Sequence, residues 1–508
     1  MENEKNQLKS GVLLSYLSLA VSSILPFLYT PIMLRILGQN EYGLYSLAHT
    51  AIGYLSLLTF GFGSTILRYL TIYRAREEKE QEQRVFGFFL LLYGVIAVLT
   101  VVCGIVIATH AEFFFRKSLT ADELAKIRVL LLLITVNTAI ALPVSVLSSA
   151  VMAHERYLFK KLIDLFATVL LPAANLVALF LGYASVGMAV ASMLIQIALL
   201  PVYGVYCHRV LQIRPVFARL PGGLIRQMVG ISAFVFLGAV VDMLFWSTDK
   251  LILGMMLGTA SVAVYNIGAT FNTTVMNLSG AIVNVLSPRV TAMVAKEASE
   301  EELTALFVRV GRLQFLIVAL IVSGFAVFGR TFVQLWAGDA YSDAYWIAIL
   351  TMFPLCIPLI QNTGITILIA QNKHAFRSVV YFAIAIVNVI STILIIPYMG
   401  GIGAALCSGV SYLLGQGLIM NLYYWKTIKL DIPLFWKNIL GMSPIPAVML
   451  ASGLLLRSFI HADSWLVFFL LVFLYSVIYL LGMYFAAMNA SEKQLLISAL
   501  RKLRRKNA

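Results

Sequence analysis

Charge is scarce in this chain. Asp, Glu, Lys and Arg make up 12% of its 508 residues, and 61% of the residues are hydrophobic. A soluble domain carries roughly a quarter charged residues. With a mean hydropathy of +0.91, the composition excludes a water-soluble globular protein and puts the chain in a membrane. Cysteine is scarce too. Cys103, Cys207, Cys356 and Cys407 lie in or at the ends of apolar runs without CxxC spacing, so neither a disulfide framework nor a thiolate metal site is indicated. The 6 histidines are scattered, with no HExxH and no His–Cys cluster, and neither a metal nor a cofactor is expected. No Walker A or GxGxxG loop precedes a soluble stretch, which argues against ATP hydrolysis within the chain. The longest external loop, His110 to Lys126, is too short to house catalytic acids, so the protein is not expected to be an enzyme. No small-residue cleavage site follows the first charged residues. The first apolar run is therefore expected to be a transmembrane helix and not a removable signal peptide.

What the chain has in abundance is long apolar runs. Fourteen are near 11–34, 44–67, 85–109, 127–152, 162–182, 185–207, 227–248, 262–287, 313–336, 345–370, 378–397, 401–424, 439–459 and 465–488. Each is long enough to cross a bilayer, which takes about 20 residues. The formal charge of +14 is unevenly spread: with the N-terminus inside, 29 of the 37 Lys and Arg fall in alternate loops and the two ends, and 8 in the opposite loops. The positive-inside rule then puts both termini in the cytoplasm. The excess charge reads as a topology signal reinforced by anionic membrane lipid. No nucleic-acid partner is implied.

The chain also repeats itself. Residues 29–48, from Tyr-Thr-Pro-Ile-Met-Leu-Arg to Leu-Ala, recur about 220 positions later in the stretch beginning Asp249-Lys250-Leu-Ile-Leu-Gly. Leu37-Gly38 falls on Leu257-Gly258 and Tyr45 on Tyr265 without a gap. Ala153-His-Glu-Arg-Tyr-Leu-Phe-Lys matches Ala370-Gln-Asn-Lys-His-Ala-Phe-Arg at a displacement of about 217, and Gly187-Met-Ala-Val-Ala-Ser echoes Gly403-Ala-Ala-Leu-Cys-Ser. The repeat runs through six spans per half, so both copies keep one orientation and the repeat is parallel. The expected fold is an all-α polytopic membrane protein of about 14 helices, with two pseudo-symmetric six-helix lobes and a C-terminal hairpin. Residues 1–212 form an N-lobe, 213–226 a cytoplasmic linker, 227–430 a C-lobe, and 431–508 the hairpin and basic tail. Two homologous halves in a membrane usually enclose a pathway.

Polar groups inside spans are costly and mark function or pairing. Asp242 and Asp249 are seven residues apart in the seventh run with Lys250 beside them, a spacing that puts both carboxylates on one helix face. Asp249–Lys250 serves equally as a self-neutralising interface pair, and Asp242 is expected deeper. Asn266, Thr270, Thr273, Asn277 and Asn284 follow one line at the helical period in the eighth run. Such a stripe either binds neighbouring helices or lines a wet cavity for hydroxyl-rich ligands. Arg68 and Arg289 end the second and eighth runs at their cytoplasmic mouths, and Arg35 ends the first; Arg35 could equally snorkel. Pro26 and Pro31 are expected to kink the first helix.

The opening Pro-Phe-Leu-Tyr-Thr-Pro-Ile-Met-Leu-Arg-Ile-Leu-Gly-Gln-Asn-Glu-Tyr-Gly-Leu-Tyr and the Asp249-Lys250-Leu-Ile-Leu-Gly stretch resemble polysaccharide-transport (Wzx-type) oligosaccharide flippases of the multidrug/oligosaccharidyl-lipid/polysaccharide exporter superfamily. The resemblance spans nearly the whole chain. It implies movement of a polyprenyl-(pyro)phosphate-linked oligosaccharide across a bacterial cytoplasmic membrane by alternating access, coupled to an ion such as H+ or Na+, with a polysaccharide polymerase as a partner. Carried over to this chain, it gives Arg35, Arg68, Lys250 and Arg289 the anionic headgroup, Asp242 and Asp249 the coupling ion, and the Asn266–Asn284 stripe the sugar-facing wall. Two other readings compete. A drug/cation antiporter of the same superfamily shares the fold but centres on acidic residues. A multi-pass polymerase or glycosyltransferase needs the large external loop that is missing.

Overall fold

The computed structural model describes residues 2–218, 220–456 and 464–494. Among them the chain is helical, without strands: α1 (Glu2–Leu37), α2 (Gln39–Gly53), α3 (Phe62–Ala75), α4 (Lys79–Thr109), α5 (Ala111–Phe115), α6 (Ala121–Ala153), α7 (Tyr157–Phe180), α8 (Ala184–Val205), α9 (Gly222–Trp246), α10 (Thr248–Leu257), α11 (Thr259–Ala295), α12 (Glu300–Ala337), α13 (Ala344–Ile360), α14 (Asn362–Ala370), α15 (Ala375–Tyr412), α16 (Asn421–Lys426), α17 (Ile432–Met442), α18 (Pro444–Leu456) and α19 (Trp465–Gly482). Hydrocarbon offers no partner to backbone N–H and C=O groups, so helices that satisfy themselves are the form such runs take.

Ten helical stretches among the described residues are long and apolar enough to cross a membrane. Two pairs bent by 41°, α2 with α3 and α17 with α18, raise this to twelve. The stretch Ala375–Lys426 is 52 residues long and turns at Gly400, where φ is 56° and ψ −141°, so it holds two spans. With α11, which at 37 residues is long enough for one more, the helices match the apolar runs of the sequence. The protein is a multi-pass membrane protein. The expected kink in the first span is not a break: α1 is one helix that carries Pro26 and Pro31 inside it. On α4, Leu91, Val95, Val98, Val102 and Ile105 are exposed at alternating spacings of four and three, while Phe86, Phe89, Tyr93 and Ile96 are buried. One face meets lipid and the other meets protein.

The repeat is written in the backbone as well. Left-handed turns recur at Gly38 and Gly258, Glu77 and Glu297, Glu155 and Asn372, Ala184 and Gly400, and Gln212 and Lys429. Their displacements run from 216 to 220 residues, the same offsets as the sequence matches. Buried positions repeat in register. Leu70, Phe86, Ala150, Cys207 and Ile213 belong to one apolar cluster; Val290, Leu306, Ile367, Tyr424 and Leu430 belong to another.

By packing, the chain divides into two units, Met1–Ala263 and Val264–Ala508. The first therefore contains α9 and α10, which the repeat assigns to the second half. In the first unit the linker is held close: the Val216 N–H donates to the Gln83 carbonyl at 3.1 Å, and Ile213 and Leu220 are buried in the apolar cluster. In the second unit, Arg312 of α12 donates through Nε and one terminal nitrogen to the Glu492 carboxylate, at 2.6 and 2.9 Å. The same guanidinium also reaches the carbonyls of Ala487 (2.9 Å) and Asn438 (3.4 Å).

Candidate functional site

The residues of the repeated motif build one face in the first unit. Gly38 opens α2 with φ 76° and Gly258 follows α10 with φ 88°, backbone that side-chain-bearing residues adopt at a cost. Helices α2 and α10 run antiparallel. Tyr54 meets Thr248 through a 2.7 Å hydroxyl contact, Leu47 packs on Gly254, and Gly43 lies against the Thr259 backbone so closely that a Cβ there would collide with the carbonyl. These three contacts keep one register, the paired residue numbers summing to within one of each other.

Polar contacts fasten the Gly38 end of this face. Ser118 Oγ donates to the Gly254 carbonyl at 2.6 Å. Thr259 Oγ1 donates to Glu123 at 2.8 Å, and Glu123 also closes the capping box that starts α6 at Thr120. Glu41 accepts from Lys126 Nζ at 2.8 Å and from Ser185 Oγ at 2.5 Å, tying α2 to α6 and α8. At the far end of α6 lies a second polar cluster. His154 Nε2 is 3.4 Å from buried Glu82, and Arg74 donates to the Ala153 carbonyl at 2.5 Å. Burial pushes the His154 pKa below its usual 6.5, with Arg74 and Arg156 adding to the effect and the Ala150 carbonyl opposing it. The nearby Glu82 carboxylate would favour the charged ring; burial outweighs it, and we take the ring as neutral.

The residues singled out from sequence are distributed over both units. Arg35 stands exposed in the last turn of α1, Arg68 exposed on α3, and Arg289 exposed on α11. Lys250 is half-buried on α10, next to Asp249 at 1% exposure. Asp242 is exposed on α9, and Ser247, with φ −115°, interrupts the helix between the two carboxylates. They do not share an environment. On α11, Asn266 and Thr270 are half-buried and Thr273 and Asn277 exposed; the Asn284 side chain lies outside the described residues. Thr270 and Thr273 donate to the carbonyls four residues back, Asn266 and Ala269, which leaves their oxygens as acceptors. Sequence reasoning missed Asn272, buried and donating to Thr351 at 2.5 Å, and His49, on the α2 face described above. It also missed Ser118, Glu123 and Glu41.

No functionally curated sequence matches the chain. Among solved structures, the lipid II flippase MurJ in its inward closed conformation is similar with a TM-score of 0.69 at 14% identity, covering 92% of this chain and 97% of that one. An inward-facing multidrug resistance MATE family transporter of the MOP superfamily has a TM-score of 0.60 at 13% identity, covering 81% and 95%. The MATE multidrug transporter DinF-BH has 0.57 at 15%, covering 83% and 95%. At such identities the likeness is one of fold. The family model described as polysaccharide biosynthesis protein matches residues 8–294, more than half the chain. Together with the multi-pass helical fold, this makes the chain a member of the polysaccharide biosynthesis protein family within the multidrug/oligosaccharidyl-lipid/polysaccharide exporter superfamily.

Proposed function

We propose that the protein carries a polyprenyl-(pyro)phosphate-linked oligosaccharide repeat unit from the inner to the outer leaflet of a bacterial cytoplasmic membrane. It does so by alternating access, with both termini cytoplasmic, and supplies cell-surface polysaccharide synthesis. The observation that carries this reading is Lys250, an ammonium held half-buried in a spanning helix of a polysaccharide-biosynthesis family member. A charge at the centre of a spanning helix costs about 2.5–3.5 kcal/mol, and an anionic cargo offsets that cost. The exposed Arg35, Arg68 and Arg289 are further cations for the headgroup, and guanidinium pairs with phosphate in a bidentate fork. Asp242 and Asp249 carry the coupling ion, H+ or Na+. Asn266, Thr270, Thr273, Asn277 and Asn284 offer acceptors and amides to sugar hydroxyls. The product passes to a polysaccharide polymerase. The protein itself performs no bond chemistry.

The test is the leaflet distribution of lipid-linked oligosaccharide in cells depleted of the protein. Intermediates stranded on the cytoplasmic face are expected, and mass spectrometry identifies the cargo. The likeness to MATE transporters favours a second reading, drug/cation antiport. Normal glycan export with new sensitivity to cationic drugs would move the assignment there.

A further inference from the structure

His49 lies on the α2–α10 face and takes no part in the roles assigned above. The Tyr45 ring meets its imidazole edge-on, with centroids 4.5 Å apart. Its Nε2 is enclosed and has no hydrogen-bond partner among the described residues. The helix register sets it between the Leu47–Gly254 and Tyr54–Thr248 contacts, opposite the turn that carries Lys250. From Gly38 to His49 the chain climbs roughly 16 Å at 1.5 Å per residue, about halfway through a hydrocarbon core about 30 Å thick. An apolar side chain would pack there without stranding a ring nitrogen, so the imidazole carries a cost that packing does not explain.

Imidazole is the side chain that gains or loses a proton near neutral pH. The Lys250 ammonium acts on the ring through space, so two cations would face each other while no anion is bound. A diphosphate arriving at Lys250 reverses that relation. It offsets the repulsion and offers oxygens to which a protonated ring donates. We propose that His49 takes up a proton when an anionic polyprenyl diphosphate headgroup binds beside Lys250, so that proton and cargo bind cooperatively at the α2–α10 face. This rests on reading Lys250 as a phosphate contact. The proton comes from solvent and adds to the ring nitrogen; no bond of the diphosphate breaks. Linkage is reciprocal: acid strengthens headgroup binding, and the headgroup draws in the proton.

The helices packed against α2 are α1, α6, α8 and α10. From α10 come Asp249 and Lys250, and from α1 Tyr29 and Arg35. On α6, Glu123 and Lys126 are engaged at the Gly38 end with Thr259 and Glu41, and α8 contributes Ser185 to Glu41. None of these is assigned the proton.

Calorimetry of farnesyl diphosphate binding to the purified full-length protein tests this, from pH 6 to 8 in two buffers of different ionisation enthalpy. The wild type is expected to take up as much as one proton per headgroup, with affinity rising at most about tenfold per pH unit lowered. His49→Gln should still bind, with the uptake gone and the pH profile flat, and Lys250→Gln should bind at least tenfold more weakly. Uptake retained in His49→Gln, zero uptake in the wild type, or unchanged affinity in Lys250→Gln overturns the proposal. Should His49→Gln fail to fold, the wild-type proton count decides alone. Absence of any wild-type binding overturns the headgroup reading itself and this proposal with it, whereas binding without uptake removes only this proposal.

Discussion

Glu492→Gln should release the end of the described chain. Arg312 and Glu492 are 8% and 3% exposed, and the carboxylate takes two hydrogen bonds from the guanidinium. It also accepts from the Asn489 N–H at 2.9 Å, while the Glu492 N–H donates to Asn489 Oδ1 at 3.0 Å. Charge-assisted bonds contribute about 1.5–3 kcal/mol each, and removing one partner of a buried pair costs about 3–5 kcal/mol. At about 1.4 kcal/mol per factor of ten, the local opening equilibrium should shift by about 10²- to 10³-fold. Hydrogen–deuterium exchange followed by mass spectrometry on the purified protein reads this directly at the amides of Asn489, Glu492 and Lys493. The Arg312→Met/Glu492→Leu double variant should recover most of the protection, because a buried ion pair and a packed apolar pair are often equivalent in net stability. Exchange in Glu492→Gln within about threefold of wild type, or a double variant as open as the single one, would refute the reasoning.

Arg68→Ala and Arg289→Ala should each depress glycan export at normal expression, with Lys replacements retaining more; full export in the paired Ala variant removes both from the headgroup role. Gly43→Ala forces a methyl into the Thr259 carbonyl, and overpacking of this kind costs about 1–3 kcal/mol, so a lower melting temperature and reduced transport are expected together. Asp249→Asn should abolish cargo accumulation driven by an imposed ion gradient, and Asp242→Asn likewise if both carry the ion; accumulation intact in either removes that residue from coupling. The His154 pKa is depressed in the folded protein, so the unfolded chain binds the proton more readily. Its contribution to stability is therefore full above about pH 6.5 and falls as the pH drops from there towards the folded value. His154→Gln should flatten the melting temperature between pH 5 and 7.5, and an unchanged slope would show that the ring does not titrate on unfolding.

The spans and the repeat were legible because the bilayer writes them in runs of about 20 apolar residues and because Gly38 and Gly258 hold the same left-handed turn. The site was legible only where chemistry sat in a local pattern. Ser118–Gly254 and Glu123–Thr259 each join residues 136 apart, and Glu41–Ser185 residues 144 apart; no periodicity in either partner announces them. The stripe of α11 follows the helical period, yet the amide that is buried and bonded is Asn272, off the line. Seven-residue spacing unites Asp242 and Asp249 only on an unbroken helix, and Ser247 breaks it. His49 looked isolated because its neighbours Lys250 and Thr248 are far away in sequence.

Two kinds of polar fastening in this protein differ in strength, and the difference bears on which of them can move. In lipid, apolar surface gives helices no reason to associate, so contacts depend on close backbone approach and hydrogen bonds that average about 0.6 kcal/mol each. The α2–α10 face has three such bonds at its ends: Tyr54–Thr248, Ser118–Gly254 and, across the following turn, Thr259–Glu123. They sum to about 2 kcal/mol, a bias of roughly thirtyfold. A ligand reverses such a bias with a modest difference in affinity between two states. Diphosphate arriving at Lys250, with a proton on His49, supplies a difference of that order. The Arg312–Glu492 clamp, at about 3–5 kcal/mol, is too strong for the same ligand to open. In the proposed cycle the α2–α10 face is therefore the moving contact and the clamp is not.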